Sequence, residues 1–505
     1  MKASVIKNAK RNIVFGTINR IIILLCPFIE RNIIQTLLGS EYLGLGSLYQ
    51  SIITVLSLSE MGFSSAMVYN MYKPAAEGDT KKMNALLFFY RKIYRIIGSV
   101  IAFVGLLLLP FLPKLIKGSP PEDISLSKLY LIYLCNTVIS YFLYAYKSSL
   151  IVVHQRDDVN SAINSFIKIC LSMTQIIILL FTKNYYLFSL MMPFFTLLNN
   201  ILIGWRTKRL FPQYEAKGNL SSDDISIIKK LVIGTFVQQA CAVTRNSLDS
   251  ICVSAFLGLT MNAIYNNYFL ILNGVTTFIG LITTAFMGGV GNHVATKSIE
   301  DNYQEMKRLD FVYLWVGGWC TICLLCLYQP FMVMWMGKDM MLPFSAVVLL
   351  CIYFYLLKLG DIRTLYSSAN GLWWQQRYRA IAETILNIIL NIILGKFYGI
   401  YGITLATIIS LFLCNHIWGV FIIFSNYFGI TKIKDYYIYQ VKQSTLSMVI
   451  GLLTYVVCSL TIISNSLLNL FVRSIICLVI PNISFYLVYR NSEHYRYAKK
   501  MITKN

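Results

Sequence analysis

The sequence predicts an all-α polytopic membrane protein of about fourteen transmembrane helices, arranged as two pseudo-symmetric six-helix lobes plus two C-terminal helices. Three observations carry this. Of the 505 residues, 57% are hydrophobic and only 13% charged, whereas a soluble chain would carry about 25% charged residues; the mean hydropathy is +0.62. Apolar stretches of about 20 residues, the length that crosses a hydrocarbon core of about 30 Å, recur from end to end. They are continuous, unlike the alternating segments of about 10 residues that build a membrane barrel. Third, the basic residues concentrate in every second connection.

The spans read as 12–38, 45–68, 88–112, 126–147, 162–182, 185–204, 230–257, 263–290, 311–335, 343–368, 379–396, 399–424, 443–463 and 468–489. With the N-terminus inside, roughly thirty Lys and Arg fall on the cytoplasmic side and about seven in the outer connections, the positive-inside distribution. The net charge of +22 therefore follows from topology, and no nucleic-acid partner is expected. The same alternation checks the helix count, because one missed span would invert every later loop. Both termini are expected in the cytoplasm. Lys2, Lys7, Lys10 and Arg11 precede the first span, but no small-residue cleavage site closes a short apolar region, so no cleavable signal peptide is expected. The outer connections are short, and the cytoplasmic ones at 69–87 and 205–228 are too small to house an enzyme fold. No Walker A pattern occurs, so ATP hydrolysis is not expected.

A charge at the bilayer centre costs roughly 2.5–3.5 kcal/mol on insertion scales, and it persists where it faces a bundle interior or a wet cavity. The first span carries Arg20 deep in an apolar run, with Glu30 and Arg31 nearer its far end. Arg31 lies about 20° around the helix from Arg20, on one face with it. Arg20 reads as lining a cavity, with structural pairing as the other reading. Arg31 either shares that cavity or reaches the outer interface and pairs with Glu30. The second span carries Glu60 beside Ser57, Ser59, Ser64 and Ser65, which suits a tie between helix ends or, less simply, ion coupling. On the seventh, Gln238, Arg245 and Asp249 form one stripe, and Arg245 and Asp249 can neutralise each other at i, i+4. On the ninth, Cys320, Cys323 and Cys326 match three positions of an iron–sulfur run whose fourth position holds Pro330. In mid-helix they read as small packing residues, and no metal or cofactor is expected. On the tenth, Lys358 and Asp361 are placed to pair, and Arg363 is expected to snorkel to the headgroups. Glu383 and Arg473 show no evident partner. His154 and His494 read as solvated, and His416 as an interhelical hydrogen-bonding group. The thirteenth and fourteenth spans lie outside the repeat and suit either a groove for a long apolar tail or peripheral packing.

The spans divide into residues 1–228, 229–424 and 425–505. A weak echo links the first two blocks at a shift of 219 (258 − 39): Lys10-Arg11 with Lys229-Lys230, Glu30 with Asp249, Leu38-Gly39 with Leu257-Gly258, and Tyr49 with Tyr268. Six helices per repeat return the chain to the same side, so the halves run parallel, as in transporters that bind substrate between repeats and rock around it.

Three motifs carry a family resemblance. One is Leu38-Gly39-Ser40-Glu41-Tyr42-Leu43-Gly44-Leu45, leading into Leu56-Ser57-Leu58-Ser59-Glu60-Met61-Gly62 and Ala66. A second is Gly291-Asn292 ahead of a charged linker, and a third is Pro330-Phe331 with Trp335 and Gly337. Together, in order, they resemble the polysaccharide flippases (Wzx type, for capsule or O-antigen repeat units) of the multidrug/oligosaccharidyl-lipid/polysaccharide (MOP) exporter superfamily. Gly288-Gly289-Val290 departs from the more hydroxyl-rich stretch expected there. The resemblance implies a central, alternately open cavity in a bacterial cytoplasmic membrane. It implies passage of an undecaprenyl-pyrophosphate-linked oligosaccharide, with membrane lipid and other polysaccharide-assembly proteins as partners. Such cargo needs cations for the pyrophosphate, and Arg suits because its planar fork matches phosphate oxygens and stays charged. The candidate residues are Arg20, Arg31, Glu60, Gln238, Arg245, Asp249, Lys358, Asp361 and Arg363. A drug/cation antiporter of the same superfamily would want a carboxylate-centred cavity. A membrane glycan polymerase or ligase would want a sizeable outer loop.

Overall fold

The computed structural model describes residues 2–60, 62–461 and 463–503, without the side chains of 2–7, 9, 59, 234, 235, 238, 242 and 500–503. Among the described residues the chain is helical, broken by short 3-10 and π turns, with no strand. Nine helices there are long and apolar enough to cross a membrane, or eleven when each of two bent pairs counts as one span. One of the nine, Trp373–Phe428, is 56 residues long, enough for two crossings of about 20–25 residues each. Gly399, at φ 59° and ψ −131°, breaks it where the eleventh expected span gives way to the twelfth.

The chain forms two compact units, Met1–Ala263 and Ile264–Asn505. The first holds α1 (Lys2–Leu37), α2 (Ser40–Leu56), α3 (Phe63–Glu77), α4 (Thr80–Leu107), α5 (Leu126–Phe142), α6 (Ser148–Val153), α7 (Asp157–Thr182), α8 (Tyr185–Leu210), α9 (Ser222–Leu257) and the first residues of α10 (Leu259–Thr296). Here α1 lies along α7, α7 and α5 flank α8, and α2 lies along α9. That last pairing groups α9 with the helices before it.

Lipid tails are as apolar as leucine, so helices in a bilayer associate through close packing and hydrogen bonds, each worth about 0.6 and at most about 1.7 kcal/mol. The junction of α2 with α10 shows both. A Cβ on Gly44 would lie 1.9 Å from the Leu259 carbonyl oxygen, so only glycine admits this approach. Asn262 Nδ2 donates to the Gly44 carbonyl at 2.9 Å, and the Ser40 and Thr260 hydroxyls meet at 3.1 Å. The helix breaks feeding this junction are alike. Gly39 sits at φ 107°, ψ 176° and Gly258 at φ 93°, ψ 175°, conformations that side chains rarely adopt. The repeat thus recurs in backbone geometry at the two glycines the sequence aligned.

The second unit continues with α11 (Ile299–Met336), α12 (Phe344–Leu359), α13 (Asp361–Ala369), α14 (Trp373–Ser410), α15 (Gly419–Ile423), α16 (Ile433–Ser459), α17 (Ser466–Tyr489) and α18 (Glu493–Thr503). The long α11 is its axis, touching α12, α13, α16, α17 and α18. Helix starts are capped as the sequence allows: Ser221 accepts from the Asp224 N–H, Ser298 from Asp301, and Asn465 from Leu467 and Leu468.

Several expected spans differ in detail. The second, 45–68, is two helices, α2 and α3, with a 3-10 turn at Ser57–Glu60. The expected loop 69–87 is almost all helix, because α3 runs to Glu77 and α4 starts at Thr80. The fourth bends by 49° between Leu126–Phe142 and Ala145–Val153, and the third by 61° after Leu107.

Candidate functional site

In the first unit the polar groups of α1 sort by face. At 100° per residue, Asn19 and Glu30 lie about 80–100° to one side of Arg20, Ile18, Leu25 and Ile29 lie on the far side, and Arg31 lies about 20° away. The Asn19 side faces α7. Ser165 Oγ donates to Asn19 Oδ1 at 3.1 Å, and Glu30 Oε1 accepts from Lys168 Nζ at 2.7 Å and from Ser172 Oγ at 2.5 Å. Ile18, Leu25 and Ile29 are exposed, and so are Ile13, Ile21 and Ile23 on the other sides of the helix. Arg31 turns to the third side, donating to Ser47 Oγ of α2 at 3.2 Å and to the Ala263 carbonyl at 3.3 Å. Glu30, its expected local partner, is thus engaged by α7.

Arg20 opens from the Arg31 face. It is exposed, and it has no hydrogen bond or ion pair among the described residues. Within those residues, the reading in which it pairs structurally does not hold. On α9, Asp249 is fully buried and Arg245 half-buried one turn before it. Ser250 beside Asp249 donates to Asn262 Oδ1 at 2.8 Å, tying α9 to the α2–α10 junction. The Gln238 side chain lies outside the described residues. Glu60 is held by tyrosines of α4 and α5, accepting from Tyr94 at 2.5 Å and from Tyr141, with Tyr90 3.0 Å from Tyr94. Its carboxylate is a tie between helices, as the structural reading expects, though the neighbouring serines are not what holds it.

In the second unit Lys358 Nζ donates to Asp361 Oδ2 at 2.8 Å, the expected i, i+3 pair, and Tyr313 of α11 donates to the same carboxylate. Arg363 does not snorkel. It is 3% exposed and donates to Asn415 of the π-helical segment Leu411–Trp418, which covers the guanidinium. His416 in that segment bonds the Leu356 carbonyl at 2.8 Å, an interhelical bond as expected. Glu383, which lacked a partner in the sequence reading, binds Arg379 one turn before it at 2.9 Å. Arg473 donates to Thr461 Oγ1. His154 and His494 are half-buried, their rings resting on Phe211 and Phe311. Sequence reasoning missed Asp310, 2% exposed, which accepts from Gln440 at 2.7 Å; an acidic residue at the very edge of an apolar run was the available signal. Between α11, α12 and α16 lies a cavity of about 360 Å³, lined mainly by apolar side chains that include Ile322, Leu325, Ile352, Met448 and Leu452.

No known protein family profile and no curated protein matches this sequence. Solved structures do. The lipid II flippase MurJ, in an inward closed conformation, superposes with a TM-score of 0.66 at 18% identity, over 95% of this chain and 99% of that one. An inward-facing multidrug resistance transporter of the MATE family, in the MOP superfamily, gives 0.61 at 13% identity, over 78% and 93%. A MOP superfamily transporter from Pyrococcus furiosus, described as having a binding pocket of reversed polarity, gives 0.54 at 13% identity, over 82% and 94%. The fold is the one these flippases and transporters share.

Proposed function

We propose that this chain is a flippase that carries undecaprenyl-pyrophosphate-linked oligosaccharide repeat units across the bacterial cytoplasmic membrane by alternating access, for assembly of a capsule, O-antigen or exopolysaccharide. The observation that carries the proposal is Arg20: an exposed cation with no partner among the described residues, within an apolar helix. A fork of donors left open within a membrane helix suits a diphosphate. Arg20 and Arg245 are assigned to that group, with Arg31 a further cation of the same unit. The apolar cavity beside α16 suits part of the polyprenyl tail. The likeness to a flippase named for a lipid cargo extends over 95% of the chain.

The drug/cation antiporter reading fits less well. Glu30, Glu60, Asp310, Asp361 and Glu383 each already accept hydrogen bonds from neighbouring side chains, and Asp249 is fully buried, so none is an open carboxylate awaiting a cation. The test is reconstitution in proteoliposomes. Transfer of a fluorescent polyprenyl-diphosphate oligosaccharide between leaflets supports the flippase. Cation-gradient-driven uptake of a cationic drug, without lipid transfer, supports the antiporter.

A further inference from the structure

Four cysteines meet in the second unit, within the apolar cluster of α11, α16 and α17. Cys323 and Cys326 belong to α11, Cys458 to the last turn of α16 and Cys477 to α17. The sulfurs of Cys326, Cys458 and Cys477 all lie within 4.8 Å of one another, and the three residues are 2%, 0% and 1% exposed. Cys323, one turn before Cys326, packs against the same cluster, its thiol in contact with that of Cys477. Cysteine makes up 12 of 505 residues, so a buried side chain with about eight neighbours meets about 0.2 cysteines by chance. Cys477 meets three. Cys320, a further turn toward the start of the same helix, takes no part in the close triad. Cys323 and Cys326 pack in an apolar cluster, as the sequence reading expects, but their partners come from helices far along the chain, which spacing alone does not reveal.

We propose that this cluster is a structural site for one thiophilic d10 cation, Zn²⁺ or Cu⁺, that ties α16 and α17 to α11. A Zn–S bond of about 2.3 Å sets sulfurs about 3.8 Å apart in a tetrahedral site, so the observed spacing closes on an ion with shifts of about an ångström or less. Soft thiolates select these metals over harder ones. The charge also balances. Three thiols binding Zn²⁺ release three protons to water and leave a centre of charge −1; two thiols binding Cu⁺ release two and leave the same charge. Arg473, one turn before Cys477 on α17, supplies the compensating positive charge, which a low-dielectric surrounding requires. It bonds Thr461 just beyond the end of α16.

The full-length protein, purified in detergent without a metal-affinity tag, tests this. Its zinc and copper content is measured by mass spectrometry. The reduced, metal-free protein is then titrated anaerobically with Zn²⁺ or Cu⁺ against a competing chelator. About one ion per chain is expected, lost in Cys477→Ala and in the Cys326→Ala/Cys458→Ala double variant and kept in Cys320→Ala; the metal that binds distinguishes zinc from copper. Removing the ion is expected to lower the melting temperature of the wild type but not of Cys477→Ala. Folded, reduced wild-type protein that takes up neither metal would overturn the proposal, whether or not the variants fold. So would a disulfide among Cys323, Cys326, Cys458 and Cys477 in protein alkylated before any reductant.

Discussion

Glu30 on α1 and Lys168 on α7, 138 residues apart in the chain, form an ion pair of 2.7 Å at 12% and 23% exposure. Ser172 bonds the same oxygen. The pair fixes the rotation of α1, and that rotation points Arg20 and Arg31 away from α7.

Removing one partner of such a pair leaves the other charge uncompensated, so Glu30→Gln or Lys168→Met should each destabilise the protein by about 3 kcal/mol. The double replacement Glu30→Gln/Lys168→Met should cost less than either single change. Thermal unfolding in detergent, analysed as a double-mutant cycle, measures this. Strictly additive losses would show that the two groups do not interact.

At the repeat junction, Gly39→Ala and Gly258→Ala each force a side chain to positive φ, at about 1–2 kcal/mol apiece. Gly44→Ala should be far worse, because its Cβ would stand 1.9 Å from backbone oxygen that cannot move without shifting α10. The yields of monodisperse protein should therefore rank wild type, then Gly39→Ala and Gly258→Ala together, then Gly44→Ala. Wild-type yield for Gly44→Ala would show that α2 and α10 are not in backbone contact.

Glu60 is expected to hold helices rather than to couple ions. Glu60→Gln keeps an acceptor for one tyrosine, and Tyr94→Phe or Tyr141→Phe removes one donor, so each should cost about 0.6–1.7 kcal/mol while translocation continues. Loss of translocation at unchanged stability in Glu60→Gln would assign the carboxylate to coupling.

Arg363 should behave as a buried cation. Arg363→Met should destabilise by about 3 kcal/mol or more, since Asn415 and Asp310 face that region. A headgroup-snorkelling arginine would tolerate the same change, and a melting curve separates the two.

Much of this was legible in the sequence, for reasons that differ by element. Apolar run length and basic-loop alternation mark the helices, because the bilayer imposes both. The breaks at Gly39 and Gly258 were visible as aligned glycines, and Lys358–Asp361 as neighbours on one helix. Lys168 for Glu30, and Tyr94 and Tyr141 for Glu60, were not visible, because each partner lies on a distant helix and nothing local points to it. Arg363 misled because nearness to a helix end normally lets a long cation reach water, whereas Asn415, 52 residues further along the chain, takes its guanidinium. Arg379 for Glu383 sat at i, i+4 and needed no fold to find.

The central claim is that Arg20 and Arg245 hold a diphosphate in transit. The most direct measurement is the rate at which proteoliposomes bearing equal amounts of wild-type or Arg20→Glu/Arg245→Glu protein move a polyprenyl-diphosphate oligosaccharide between leaflets. The predicted result is loss of at least about tenfold in rate, the equivalent of roughly 1.4 kcal/mol, with the melting temperature held. An unchanged rate in the charge-reversed protein would contradict it.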